Sequence, residues 1–481
     1  MEHLGSGGGP REDNTTALLV RSTAQEWTKG SILAVDAGVQ LGKIARILDD
    51  HLPNVKVRPA IVASGPFKGL AIPHASSAAN AVHVTRTLVD TYLITHPHLD
   101  HISGFVVNTA SLTRAKRLAG LPKTIKAFKE HIFNNVIWPN LSDENDGAGL
   151  VTYMRLVEGG SPALGNGDDK GYMEICDGLT VKAWSVSHGH CIEKHTHRGS
   201  SASLHPVLDA AGVPLIEASP LGRSISSGAR SPKHPRNSRM SPHPSSNYAA
   251  AYSQATEIRE ETCVYDSSAY FIRDIATGRE ILVFGDVEPD SISLHPRNQR
   301  VWIDAAPKVA SGKLGGVFIE CSYDDSQEDS MLFGHMAPRH LIMELKILAT
   351  EVEASKQEQQ ETKKRKRQSN GDSLDHPNRR HSPGGAPRQG SPLPNIQASP
   401  VSPLTQCRLP DIQPPDNDSI PKKFSNVPLN GVKIVLIHIK EKLNDGPDEG
   451  DIILGQLKEY EEEIGLGCEF VISREGQAVF L

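Results

Sequence analysis

The chain has 481 residues, with 51 Lys plus Arg against 57 Asp plus Glu and a formal net charge of −6. Such a length is ample for a large buried core, and the mild acidity argues against a general nucleic-acid binder or a membrane-surface protein. Six scattered cysteines (Cys176, Cys191, Cys263, Cys321, Cys407, Cys468) form no CxxC pair, which suits a reducing compartment and argues against a disulfide framework.

The chain opens on MEHLGSGGGPRED, polar and glycine-rich, without the basic start and apolar core of a signal peptide. Residues 1–16 read as a flexible N-terminus. Strand-like and helix-like runs then alternate over residues 17–195: GSILAVDAG, the helical VQLGKIARILDDHL, LVDTYLITH and LTVKAWSVSH. Residues 198–258 are rich in Ser, Pro, Gly and Arg. The alternation resumes over 262–355 with SSAYFIRD, REILVFGD, GGVFIEC and the helical PRHLIMELKILATEVEA. A second polar stretch, 356–425, runs from QEQQETKKRKRQSN to SPLPNIQASPVSPL. GVKIVLIHIKE, a helical ILGQLKEYEEEIG and a terminal strand CEFVISREGQAVF close the chain. Mixed strands and helices predict an α/β layered domain over 17–481. The two polar stretches lack hydrophobic periodicity to offset their ordering entropy, which predicts disordered insertions in surface loops. No apolar run approaches membrane-spanning length. These features predict a soluble cytoplasmic protein without a membrane partner.

THPHLDH, residues 95–101, concentrates metal-capable side chains at the exit of a strand. In an extended segment His96 and His98 point the same way, while Asp100 and His101 follow on the bend. Imidazole with carboxylate suits zinc and similar divalent ions, and two facing sets would suit two adjacent metals. Four further strand-like runs end on a ligand type: Asp36, His188, Asp286 and His438. Open sheets assemble sites where strand ends meet loops. Each residue also has a plainer reading. Asp286 could cap a turn, His438 could be a satisfied core histidine, and His190 rivals His188. Asp36 is either a turn residue or a carboxylate that orients a ligand histidine. Cys191, His195 and His197 in CIEKHTH could form a separate zinc site, although no clear fourth ligand accompanies them.

HPHLDH resembles the HxHxDH signature of the metallo-β-lactamase fold superfamily. SHGH, LVFGDVEPD, FIECSYDDS, FGHMAPRHL and IVLIHIKE together resemble the class-II cyclic-nucleotide phosphodiesterases, the fungal low-affinity 3′,5′-cyclic-AMP type. The resemblance covers the three patterned blocks in order and departs at the long insertion after His197. It implies a four-layer αββα sandwich with two divalent metal ions, zinc being the expectation, at one edge. It puts one metal on His96, His98 and His188, the other on Asp100, His101 and His438, and Asp286 between them. It implies hydrolysis of 3′,5′-cyclic AMP, with cyclic GMP as a further substrate, to the 5′-nucleotide by hydroxide formed between the metals, ending a cyclic-nucleotide signal. His335 in FGHM is the candidate general acid, with Glu320 orienting it; Asp100 belongs to the catalytic set as well as to the ligands. Another hydrolase of this fold, a tRNA-processing nuclease or a thioester hydrolase, is the alternative, and a non-catalytic metal-bound interaction protein a third reading. A tRNA nuclease would be expected to carry a basic surface, and the patterned blocks show no basic stripe, so no nucleic-acid partner is expected. KKRKRQS and RRHSP place Ser369 and Ser382 after paired basic residues, which suits a cyclic-AMP-dependent kinase. KKRKR reads equally as a nuclear-import signal or a solvated charge run.

Overall fold

The structure is a computed structural model describing residues 1–52, 59–195, 259–371 and 421–481. β1 (Glu2–Gly5), β2 (Ala17–Arg21) and β3 (Ile32–Val35) open the chain. α1 (Leu41–His51), the two-residue strands β4 (Ala60–Ile61) and β5 (Ala71–Ile72), and α2 (Ser77–His83) follow. Then come β6 (Val89–Leu93), α3 (Leu99–Asn108), β7 (Lys116–Gly120), α4 (Pro122–Ala127) and β8 (Val151–Arg155). The first sheet has the order β1-β2-β3-β6-β7-β8, antiparallel up to β3 and parallel beyond it. The second half begins with β9 (Met173–Cys176), β10 (Leu179–His195), β11 (Arg259–Asp274) and β12 (Glu280–Phe284). α5 (Asn298–Ala310), β13 (Leu314–Glu320), α6 (Pro338–Gly371), β14 (Lys433–Ile437), α7 (Glu449–Ile464) and β15 (Glu469–Ile472) complete it. The second sheet runs β15-β14-β13-β12-β11-β10-β9, with β12 to β15 parallel.

Strand periodicity explains the layers. In β13 and β14, Phe318, Val435 and Ile437 face the core between the sheets, while Val317, Ile319, Ile434 and Leu436 face α5, α6 and α7. In β3, Leu33 and Val35 face the other sheet, and Ile32 and Ala34 join the core under α1 to α4. Strands buried on both faces read as continuous apolar runs, as ILAV and KIVLI do. The result is the four-layer αββα sandwich. Chain contacts divide the protein into this unit, Met1–His190 with Val264–Leu481, and a second unit, Cys191–Cys263. The second unit holds the far ends of β10 and β11; the rest of it, with all of the first predicted insertion (198–258), lies outside the described residues. Of the CIEKHTH alternative, residues 191–195 end β10, and His197 lies outside the described residues. Among the described residues no helix is long and apolar enough to cross a membrane.

Three expectations need correction. Residues 1–16 are not a flexible leader: β1 pairs with β2, and Glu2, His3, Leu4, Ser6, Thr15 and Thr16 are buried. Polar side chains hid a strand whose partners lie far away in sequence. The His3 amide donates to Gln477 O at 2.9 Å, and the Val479 amide to Met1 O at 2.8 Å. The second insertion is shorter than 356–425. α6 continues to Gly371, because KQEQQETKKRKRQ consists almost wholly of good helix formers even without an apolar stripe. At the other end Phe424 is buried, and its amide donates to Ile464 O at 2.8 Å. Residues 372–420, with Ser382, lie outside the described residues, whereas Ser369 stands on α6. The terminal strand is also shorter than CEFVISREGQAVF: β15 ends at Ile472, and the chain then turns back toward β1.

Candidate metal centre

The centre lies beyond the carboxyl ends of the parallel strands β6, β12, β13 and β14. β6 leads into Thr95, His96 and His98, and His98 directly precedes α3, whose first turn carries Asp100 and His101. β10 supplies His188, β12 leads to Asp286, β13 ends on Glu320, and β14 leads to His438. Every ligand predicted from sequence is brought together. His96, His98, His188 and Asp286 place one candidate donor atom each within 4.8 Å of one another, and so do Asp100, His101, Asp286 and His438. Asp286 belongs to both groups. Its Oδ1 lies 3.1 Å from His101 Nε2, and its Oδ2 lies 3.6, 3.5 and 3.2 Å from the Nε2 atoms of His96, His188 and His438. Asp100 Oδ2 is 3.8 Å from His101 Nε2 and 3.7 Å from His438 Nε2.

Hydrogen bonds behind the histidines fix which nitrogen faces inward. Asp36 Oδ2 accepts from His101 Nδ1 at 2.8 Å and from the Thr95 hydroxyl at 2.8 Å, while Asp36 Oδ1 accepts from the Thr95 amide at 2.8 Å. Having given its proton to Asp36, the Thr95 hydroxyl accepts from His96 Nδ1 at 3.1 Å. One carboxylate thereby sets two tautomers, directly at His101 and through Thr95 at His96. His188 Nδ1 donates to Gly334 O at 2.9 Å. His438 Nδ1 donates to Thr16 Oγ1 at 2.8 Å, and the Thr16 hydroxyl has Gly7 O at 3.4 Å for its own proton. In His96, His188 and His438 Nε2 thereby keeps a lone pair aimed into the centre, and His101 Nε2 faces it as well, toward Asp286. The tautomers follow from this network of donors and acceptors.

The inward atoms test the fit to a metal. His96 Nε2, His101 Nε2, His438 Nε2 and Asp286 Oδ1 are buried without a hydrogen-bond partner among the described residues. An unsatisfied buried polar atom costs about 1–3 kcal/mol, and a cluster of them converging on one space is the signature of a ligand. Imidazole and carboxylate donors suit a divalent cation. Burial pushes His96 and His438 well below the usual imidazole range, lowers His188 and takes His98 to about 4, so these rings present lone pairs near neutrality. Burial also opposes protonation of His101, but Asp286 and Asp36 outweigh it and hold the ring well above the usual range. Asp286, despite burial, is held well below the carboxylate range by His101, His438 and His96. A divalent cation would satisfy the carboxylates that otherwise hold the His101 proton.

His335 and Glu320 form a third group with His188. Glu320, fully buried, accepts from the Val287 amide at 2.6 Å and the Ser322 hydroxyl at 2.5 Å, and its Oε2 lies 2.9 Å from His335 Nδ1. The His335 ring centroid is 4.8 Å from that of His188 and 5.2 Å from that of His438. Burial lowers the His335 pKa, and Glu320 and Asp286 more than compensate, raising it overall.

Sequence reading located every residue of the cluster and the Asp36 carboxylate, but missed the N-terminal clasp on His438. The His438 amide donates to Ser6 O at 2.7 Å, and a Cβ on Gly8 would stand 2.6 Å from the His438 ring. His438 itself is held at φ +59, a conformation a non-glycine residue adopts only where its surroundings enforce it. The glycine run at 7–9 was the available signal: a backbone approaching a ring closely has no room for side chains.

An αββα sandwich with converging histidines and carboxylates at its strand ends defines a metallohydrolase of the metallo-β-lactamase kind. Residues 27–203 and 235–362 match the model of the class-II cAMP phosphodiesterases. The chain belongs to that family. It is 27% identical to a 3′,5′-cyclic-nucleotide phosphodiesterase of Schizosaccharomyces pombe over 73% of this chain and 75% of that protein. It is 25% identical to 3′,5′-cyclic-nucleotide phosphodiesterase 1 of Saccharomyces cerevisiae over 73% and 83%. The crystal structure of unliganded yeast PDE1 superposes with a TM-score of 0.54 at 19% identity, covering 99% of each chain, which shows a shared fold. Family membership decides against the tRNA-nuclease and thioester-hydrolase alternatives and makes the chain a cyclic-nucleotide phosphodiesterase.

Proposed function

We propose that this phosphodiesterase hydrolyses 3′,5′-cyclic AMP, and cyclic GMP as a second substrate, to the 5′-nucleotide at a centre of two zinc ions. His96, His98 and His188 would hold one ion and Asp100, His101 and His438 the other, with Asp286 shared. The observation that carries this reading is the set of buried, unpartnered Nε2 atoms of His96, His101 and His438 gathered around the Asp286 carboxylate, with Nδ1 of each ring already engaged elsewhere. Bound there, the ions would neutralise the phosphate and supply hydroxide near neutral pH.

The remaining work falls to side chains. The departing 3′ oxygen needs a proton. His335 is the residue to give it: Glu320 anchors Nδ1 and leaves Nε2 for the substrate. Glu320 is the positioning residue, itself fixed by the Val287 amide and Ser322. Asp100, with 30% side-chain exposure, would lie where substrate and solvent reach the centre. Regulation by a cyclic-AMP-dependent kinase at Ser369 would act on the last turn of α6, not on an open loop, and requires that turn to unwind. A cytoplasmic location, with nuclear import through KKRKR as the alternative, completes the reading.

The deciding experiment is metal analysis of the purified chain with turnover of both cyclic nucleotides, before and after chelation and zinc restoration. Two equivalents of zinc, loss of activity on chelation and its return support the reading. Full activity in a protein stripped of metal refutes it. Phosphopeptide mapping after kinase treatment tests Ser369, and no phosphate there removes that part.

A further inference from the structure

The turn that holds His188 carries a residue its backbone disfavours. Residues 332–335, LFGH, form a tight turn closed by the His335 amide, which donates to Leu332 O at 3.1 Å. Its two central residues, Phe333 and Gly334, have φ of +53 and +85, the signs of a type I′ turn. Glycine suits the second place, where a Cβ would stand 2.6 Å from the Gly189 amide nitrogen. The first place prefers Asn, Asp or Gly, and a bulky aromatic there is an outlier.

The core does not offset that strain. Phe333 is 66% exposed, whereas its neighbour Leu332 is fully buried. Nor does the turn's structural task need a ring. His188 Nδ1 donates to the backbone carbonyl of Gly334, and Glu320 anchors His335, so an asparagine at position 333 would keep both contacts. Strained residues that the surrounding structure enforces cluster at active sites and ligand clamps. Phe333 stands two residues before His335 and one before the carbonyl on His188, at the rim of the centre. Two more exposed side chains with apolar surface flank the centre: Leu99, between His98 and Asp100, and Tyr265, whose ring centroid lies 6.0 Å from that of His98. The ligands themselves are imidazoles and carboxylates, which leaves this rim to meet an apolar part of the substrate.

We infer that Phe333 is the platform on which the purine base of the substrate stacks. The inference rests on the reading of the site as a cyclic-nucleotide centre. In a cyclic nucleotide one ribose carries both ester oxygens and the base. A substrate whose 3′ oxygen faces His335 therefore brings its base to the same rim. Any base has a face to stack, and the larger purine face covers more of the ring than a pyrimidine does. Base–aromatic stacking contributes about 5- to 150-fold in affinity.

The test compares Phe333→Asn and Phe333→Trp with the natural chain, each as the whole zinc-loaded protein. It reads kcat and KM for cyclic AMP and cyclic CMP, zinc content, thermal midpoint and sedimentation. Phe333→Asn should raise KM for cyclic AMP about 5- to 150-fold and leave kcat close to the natural value, because stacking binds ground state and transition state alike. KM for cyclic CMP should rise less, so the preference for the purine shrinks. The thermal midpoint of this variant should rise, since Asn-Gly is the favoured pair for the turn. Phe333→Trp should keep the natural KM. Unchanged KM in Phe333→Asn overturns the inference. So does loss of zinc from that variant, which would make residue 333 a support for His188, and so does a change from dimer to monomer at unchanged KM, which would assign the ring to a second copy of the chain. Absence of cyclic-AMP turnover in the natural chain overturns the reading of the site together with the platform, whereas the outcomes in Phe333→Asn overturn the platform alone.

Discussion

Asp36→Asn changes one atom type and should disable two ligands. The native carboxylate accepts three hydrogen bonds, each at 2.8 Å: from the Thr95 amide, the Thr95 hydroxyl and His101 Nδ1. An asparagine that keeps its oxygen toward the Thr95 amide turns its NH2 toward the Thr95 hydroxyl and His101. His101 must then accept at Nδ1 and carry its proton on Nε2. Thr95, now accepting from the asparagine, donates to His96 Nδ1 and forces the same tautomer there. Both rings lose the lone pair that faces Asp286, one in each half of the centre. The opposite flip sets an NH2 against the Thr95 amide, two donors at hydrogen-bonding distance, and costs about 1–3 kcal/mol. Removing one such partner of a ligating histidine typically costs about 10- to 100-fold in metal affinity, so two together should cost roughly 10²- to 10⁴-fold. The assay is chelator-competition titration with zinc, paired with turnover of cyclic AMP and with circular dichroism to confirm folding. A well-folded Asp36→Asn protein that binds two ions within about threefold of the natural affinity and turns over normally would falsify the tautomer argument.

Other substitutions test separate parts. Asp286→Ala removes the carboxylate shared by both ligand groups; metal content should fall below two per chain and activity by several orders of magnitude, and retention of both ions with substantial turnover counts against the shared role. Thr16→Val keeps the shape of a buried residue but strips His438 Nδ1 of its acceptor; zinc affinity should drop about 10- to 100-fold, mainly at one of two sites, as read by stepwise titration. Glu344, buried beside Asp290, has its pKa pushed up to about 8, chiefly by burial and then by the Asp290 charge. The folded chain therefore keeps a proton that the unfolded chain releases above its ordinary pKa of 4.5, and Glu344 costs increasing stability as pH rises from about 4.5 to 8. In denaturant titrations from pH 5 to pH 8, Glu344→Gln should gain on the natural chain by up to roughly 4 kcal/mol, and a pH-independent difference contradicts the shift. Phe424→Ala should destabilise by about 3–5 kcal/mol in the same titration, because the ring packs in the core under α6 and α7; a change below about 1 kcal/mol would return Phe424 to the insertion.

Much of this protein was legible in its sequence because the necessary signals are local. Apolar runs such as ILAV and KIVLI need no partner to be recognised as strands, and ligand-type residues at their ends, His96, His188, Asp286 and His438, announce themselves by position. The layer order, the cluster and the orienting role of Asp36 follow from that pattern and the family resemblance. What sequence could not supply were contacts between residues far apart along the chain. Thr16 meets the imidazole of His438, His3 pairs with the turn at Gln477, and Phe424 closes on Ile464, yet none of these has a signature in its own neighbourhood. Polar composition misled at both places for one reason. A buried polar side chain or a backbone strand is satisfied by hydrogen bonds to remote partners, and only the folded chain places those partners within reach. One cluster of paired charges has the same origin: Lys182, Arg273 and Lys308 are ordinary surface-type residues in sequence, and only the folded chain brings them onto Asp304, Glu280 and Asp169.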